Sequence, residues 1–225
     1  MEELGLAAVR TRIAAAAERV GRAADDVTLV AVSKGRPDVV VEQAYAQGQR
    51  VFGENRQQGL AARVDAGLPK GIAWHFIGPL QRRKARYVSS HVALMQSFDR
   101  RELIPLWADS TAPVLLQFNL GREPQKGGFD PDEADAVLEE TLLAGIDVRG
   151  VMAIPPVVER PEDARRWFTN LRVIRDRFLE TSPAVATLSM GMTHDFEVAI
   201  EEGATMVRVG TAIFGPIHDN TTANG

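Results

Sequence analysis

The stretch TLVAVSK (28–34) decides the fold. Its first five residues are apolar or β-branched with no polar alternation, which suits a strand buried on both faces. Such strands build parallel sheets covered by helices. Runs of the same kind recur outward from it: VFGEN (51–55), WHFIGP (74–79), VALMQSF (92–98), PVLLQFN (113–119), VRGVMAI (148–154), VATLSM (185–190) and TMVRVG (205–210). The segments between them read as helices. The clearest begins at Pro161, with Glu162 and Asp163 in its first turn, and carries Trp167, Leu171, Ile174 and Phe178 as one apolar stripe. Residues 3–21 predict a further helix with Leu6, Val9, Ile13 and Val20 on one side.

Eight strands alternating with helices predict an α/β fold, a single (β/α)8 TIM barrel with an additional N-terminal helix. One domain over residues 1–225, with its core at about 27–215, is the expected organisation. An open doubly wound sheet is the rival, and against it no G-x-G-x-x-G follows the first strand. The polar tail after Gly215 reads as frayed.

Composition narrows the function classes. The chain has no cysteine, which removes disulfides, thiolate nucleophiles and Cys-type zinc sites. A formal charge of −4 argues against nucleic acid or an anionic membrane as main partner. Glu2 and Glu3 stand where a signal peptide would be basic, and no apolar run approaches the ~20 residues that span a bilayer. A cytoplasmic location is expected, and the sequon at Asn220–Thr222 is read as chance. His75, His91, His194 and His218 are scattered and show no H-E-x-x-H pattern, so no metal site is expected. A monomer is the expected state.

In a barrel, chemistry gathers at the C-terminal ends of the strands. The first strand ends on Ser33 and Lys34, and Lys34 alone of the four lysines follows a long apolar run. An amine set among apolar groups has its charged form disfavoured and can attack a carbonyl to form a Schiff base; the plainer alternative is a lysine reaching solvent. The seventh and eighth strands end on Ser189-Met190-Gly191-Met192-Thr193 and Arg208-Val209-Gly210-Thr211. Each pairs a hydroxyl with a glycine before a helix, which suits an anion such as phosphate, although ordinary capped turns would look alike. Arg208 lies inside an apolar run and needs a partner, either a ligand or a carboxylate such as Glu54. Asn55 ends the second strand, as a donor to a ligand or a helix cap, and His75 reads as a hydrogen-bonded core residue or a pocket wall. The basic cluster Gln81–Arg86 reads as a solvated helix face or an anion-attracting rim. Glu123 and Lys126 offer a loop ion pair or a second ligand contact.

Taken together, LVAVSK (29–34), FGEN (52–55), WHFIGPLQ (74–81), SMGMTHDFEVAI (189–200) and VRVGTAIFG (207–215) resemble the pyridoxal phosphate homeostasis protein family, related to the N-terminal barrel of alanine racemase. The resemblance runs from about Val27 to Gly215. It implies a fold type III pyridoxal phosphate barrel in which Lys34 carries the cofactor as an internal aldimine and Arg208 faces the pyridine nitrogen. It also implies that Ser189, Gly210 and Thr211 hold the phosphate, with Asn55 near the ring. The implied role is intracellular cofactor homeostasis: holding, buffering or delivering pyridoxal 5'-phosphate, with apo pyridoxal phosphate enzymes as possible recipients. No turnover reaction and no catalytic residue follow from it. Gly35 departs from a usual threonine, Arg56 from a tyrosine, Arg83 from an asparagine and Ile217 from an arginine, which bears on the pocket rim and on cofactor release.

The alternative is a pyridoxal phosphate enzyme such as an amino-acid racemase of low activity. Racemisation needs acid and base groups on opposite faces of the α-carbon. The resembling racemases draw one of these, a tyrosine, from a second, β-rich domain. Here the only tyrosines are Tyr45 and Tyr87, both in predicted helices, and only a short tail follows the eighth strand, which favours the holding role. A cofactor-free Schiff-base aldolase would instead use the two Gly/hydroxyl turns for a substrate phosphate.

Overall fold

The computed structural model describes residues 4–216, so Ile217, His218 and the Asn220–Thr222 sequon lie outside the described residues, with the polar tail from 217 on. Eight parallel strands close into a barrel in sequential order: β1 (Thr28–Val32), β2 (Val51–Glu54), β3 (Ala73–Phe76), β4 (Leu94–Phe98), β5 (Val114–Phe118), β6 (Val148–Ala153), β7 (Thr187–Ser189) and β8 (Met206–Val209). Closure is made by β1 on β8, with Thr28 opposite Met206 and Ala31 opposite Val209. The open-sheet rival is thereby excluded, and every apolar run supplies one strand.

The helices form the outer layer: α1 (Leu6–Arg19), α2 (Asp38–Ala46), α3 (Gln57–Asp65), α4 (Ala85–Ser89), α5 (Ile104–Trp107), α6 (Ala134–Leu143), α7 (Arg165–Thr181), α8 (Phe196–Glu201) and α9 (Thr211–Phe214). The N-terminal α1 buries Leu6, Val9, Ile13, Ala16 and Ala17, whereas Val20, expected on that stripe, is exposed beyond the helix end. It is tied to α8 by Arg12 to Glu197 at 2.8 Å and Arg19 to Glu201 at 2.8 Å. In α7 the buried stripe is Phe168, Leu171, Ile174 and Phe178. Trp167, expected on it, is only partly buried: the helix proper starts at Arg165 after a tight turn over Pro161–Ala164, and this entry turns Phe168 inward.

Two cores follow from the two faces of each strand. Outward-facing residues pack under the helices in one large cluster, while Val30, Leu94, Leu115, Met152 and Met206 fill the lower barrel interior. Fully burying such a side chain stabilises by about 1.5–3 kcal/mol. Above this apolar layer the interior turns polar, and there the candidate site begins.

Candidate functional site

A chain of inward-facing polar side chains crosses the upper barrel. His75 (β3), Gln96 (β4), Ser189 (β7) and Arg208 (β8) are all buried. Arg208 Nη1 donates to Ser189 Oγ at 2.6 Å, and Nη2 donates to the Ala153 carbonyl at 2.9 Å. Ser189 Oγ donates to Gln96 Oε1 at 2.7 Å, and Gln96 Nε2 lies 2.8 Å from His75 Nδ1. Burial lowers the His75 imidazole to about 4, so at neutral pH the ring is uncharged.

Among the described residues no carboxylate makes an ion pair with Arg208. Burial lowers its guanidinium to about 10, and the Asp195 carboxylate opposes this from a distance while accepting a bond from Met192 N at 2.7 Å. Glu54, the carboxylate that sequence offered as a partner, faces the other way. It sits beneath the helices, accepts from Ser33 Oγ at 2.7 Å and pairs with Arg63 at 3.2 Å.

Lys34 follows β1 at the barrel mouth and is exposed, so the apolar surroundings expected for its amine are not found in the structure. What the structure supplies is a fixed backbone. Arg36 N donates to Ser33 O at 3.0 Å, closing a tight turn whose third residue, Gly35, has φ 66°. Glycine takes that conformation without steric cost, whereas a β-branched residue is strained there. From outside the barrel, the buried Arg63 donates to the carbonyls of the first and last residues of this turn, Ser33 O at 3.0 Å and Arg36 O at 2.6 Å, and pairs with Asp38. Arg36 in turn donates to Phe214 O at 3.1 Å and Pro216 O at 2.9 Å. The lysine turn and the end of α9 are thus held together.

The two expected anion turns meet at the same side of the mouth. Gly210 lies beside Val32, where a Cβ would come within 3.3 Å of the Val32 carbonyl oxygen, and Thr211 is exposed at the start of α9. Thr193 brings its hydroxyl to that turn, accepting from Ala212 N at 3.4 Å. Ser189, expected to hold phosphate, lies inside the barrel with its hydroxyl bonded to Arg208 and Gln96.

Elsewhere on the rim the remaining expectations find their places. Asn55 is half-buried and lines a cavity of about 560 Å³ with Arg56, Gln57, Gln81 and Lys84, apart from the Lys34–Arg208 axis. The backbone of Asn55 lies so close to Gly78 that a Cβ there would meet its carbonyl oxygen at 2.2 Å. Arg82, Arg83 and Arg86 are exposed, a solvated face, and of that cluster Gln81 and Lys84 line the cavity. Glu123 and Lys126 form an ion pair at 2.5 Å, and Lys126 also donates to Pro155 O at 2.9 Å. With Asp99 and Gln117, Lys126 lines a smaller pocket of about 250 Å³ at the opposite side of the mouth, where burial raises the Asp99 carboxyl.

Residues 4–217 match the alanine racemase N-terminal domain family. A pyridoxal phosphate homeostasis protein of Aquifex aeolicus is 42% identical over 218 residues, covering 93% of this chain and 96% of that one. Its counterpart in Escherichia coli K12 is 39% identical over 225 residues, covering 93% and 94%. The chain belongs to the pyridoxal phosphate homeostasis protein family. A solved structure within reach is PipY of Synechococcus elongatus with pyridoxal phosphate bound, at 32% identity and TM-score 0.77, covering 92% of this chain and 100% of that one. Alanine racemase of Corynebacterium glutamicum, at 16% identity and TM-score 0.68, shares the barrel fold; the match covers 96% of this chain and 64% of the racemase.

For a member of this family, one part of the polar interior, Gln96, is not marked by the sequence. Gln96 carried no signal beyond being a polar residue in an apolar run, and its inward face emerges only once Leu94 is fixed as interior. Thr193 stands in the expected Gly/hydroxyl turn with Ser189, where an anion contact and a helix cap look alike in sequence. The tyrosines offer no second acid at the mouth: Tyr45 sits on α2 under Arg50, and Tyr87 sits on α4 stacked on His91.

Proposed function

We propose that this barrel binds pyridoxal 5'-phosphate through Lys34 and serves cofactor homeostasis, holding and releasing the cofactor rather than turning over a substrate. The observation that carries the reading is Arg208, a guanidinium buried in the barrel interior with no carboxylate in contact, beneath the mouth where Lys34 emerges. A buried charge left without a counter-charge is costly for a purely structural residue. The donor set suits the cofactor: an amine for its aldehyde, a cation facing its ring nitrogen, and backbone and hydroxyl donors at Gly210, Thr211 and Thr193 for its phosphate. When bound, pyridoxal phosphate supplies an aldehyde for the lysine amine and an aromatic ring that draws electrons from it. The relatives' names and the loaded PipY structure support the same ligand.

Each residue then has a task. Lys34 Nζ forms the covalent link, its turn held by Arg63 and Arg36. Arg208 would face the pyridine nitrogen as a cation and would disfavour its protonation, which would weaken the ring as an electron sink and fits holding better than turnover. Ser189 acts by anchoring Arg208, while Asn55 belongs to the rim on the β2 side. The absence of a tyrosine at the mouth fits the same view, since racemisation needs a second group on the opposite face.

The test is delivery. Loaded protein mixed with an apo pyridoxal phosphate enzyme should restore that enzyme's activity, while single-enantiomer alanine incubated with loaded protein should keep its optical purity. Racemisation at rates typical of enzymes, together with failure to transfer cofactor, would replace the homeostasis reading with the enzymatic one.

A further inference from the structure

The chain of bonds across the barrel has a fixed direction. Arginine has five N–H donors and no acceptor, so Ser189 Oγ must accept from Arg208. Its own hydroxyl proton is then free to go to Gln96 Oε1, 2.7 Å away. With its oxygen facing Ser189, the Gln96 amide turns its NH2 toward His75 Nδ1 at 2.8 Å and Met206 Sδ at 3.1 Å. With the amide in this orientation, His75 presents a bare Nδ1 and carries its proton on Nε2. A cationic ring would set two donors face to face, and burial holds the ring uncharged at neutral pH. Every link is neutral beyond Arg208, and each is buried, so water does not substitute for any of them.

We propose that Gln96 and His75 are positioning residues for Arg208: through Ser189 they fix the plane of its guanidinium beneath the cofactor ring without giving it a counter-charge. The inference rests on the pyridoxal phosphate reading above and deepens it. A carboxylate in the place of Gln96 would hold the arginine equally well in geometry but would neutralise it. A neutral acceptor chain leaves the full positive charge toward the ring nitrogen. His75 ends the chain as a pure acceptor, and so fixes which way round the Gln96 amide stands.

The experiment compares wild type with Gln96→Leu, His75→Phe and His75→Asn. Three quantities are read: the dissociation constant for pyridoxal phosphate, the visible absorption maximum of the loaded protein, and the melting temperature of the unloaded protein. Gln96→Leu and His75→Phe should weaken binding by about tenfold or more and move the visible maximum, because the ring nitrogen meets a wandering guanidinium. His75→Asn offers a carbonyl to the Gln96 amide and should stay within about threefold of wild type with the wild-type spectrum. Variants that melt like wild type, bind like wild type and keep its spectrum would overturn the positioning role alone. A wild-type protein that takes up no pyridoxal phosphate would remove the cofactor reading and this role with it. Should the Leu and Phe variants fail to fold, the ring 15N shifts of His75 in unloaded wild type decide. A bare Nδ1 with protonated Nε2 is expected, and a proton on Nδ1 would overturn the chain.

Discussion

Two arginines are buried in this barrel, and they are treated in opposite ways. Arg63 lies outside the strands, under the helices, with Glu54, Asp38 and two backbone carbonyls around it. Arg208 lies inside the strands, with a hydroxyl, a carbonyl and no carboxylate in contact. The first is a satisfied structural ion that fastens the Lys34 turn. The second keeps its charge available. The difference teaches how to separate scaffold from site: burial alone does not mark function, whereas burial without a counter-charge does.

The comparison can be broken first at Arg63. Replacing it by leucine strands Glu54 as an uncompensated buried carboxylate and frees the lysine turn, so Arg63→Leu should lose about 3–5 kcal/mol of stability in urea unfolding. A loss below about 1 kcal/mol would mean that the outer arginine is not the clamp described.

The next effect lies on the inner side and depends on pH. His75 is lowered to about 4 in the folded protein from an ordinary 6.5, so the unfolded chain binds more protons between those values. The stability that goes with a neutral His75 is fully present above about pH 6.5 and falls as pH drops toward 4, by about 3 kcal/mol in total. Burial raises Asp99 and Asp195, which act with the opposite sign over their own range, so the clean measurement is a difference. Wild type minus His75→Asn, followed by unfolding at several pH values, should isolate the slope, and equal slopes would contradict it.

A smaller effect sharpens the clamp. At Gly35 the φ of 66° disfavours a β-branched residue, and Gly35→Thr should cost about 1–2 kcal/mol by the same unfolding assay. Smallest of all should be the stability change at Arg208. Arg208→Met removes an uncompensated buried charge, and the unloaded protein should unfold within about 1 kcal/mol of wild type. Its affinity for pyridoxal phosphate should nonetheless fall by about tenfold or more in a spectroscopic titration. A large loss of stability there would put the two arginines in one class.

Much of this was legible in the sequence, for identifiable reasons. Each strand announced itself because a parallel strand is apolar on both faces, and TLVAVSK carried both the strand and its lysine. Lys34, Arg208, Gly210 and Thr211 stand out as candidates because strand ends are where a barrel gathers chemistry, and the structure places them at or just below the barrel mouth. The partners were not found. Ser189 and Gln96 are 93 residues apart and meet only because the sheet curls closed. Glu54 was offered to Arg208 although it pairs in register with Phe76, an outer-core residue, and therefore points away from the interior. Trp167 and Val20 fell off their stripes because helix ends shift by a residue or two and carry the pattern with them.

The central claim is that the cofactor is carried on Lys34. The most direct measurement loads the protein with pyridoxal 5'-phosphate, reduces it with borohydride and maps the adduct by peptide mass spectrometry. The account predicts one reduced adduct, on Lys34, accompanied by loss of the visible band, and no such adduct in Lys34→Ala. An adduct on Lys70, Lys84 or Lys126, or the same band and adduct yield from Lys34→Ala, would contradict it.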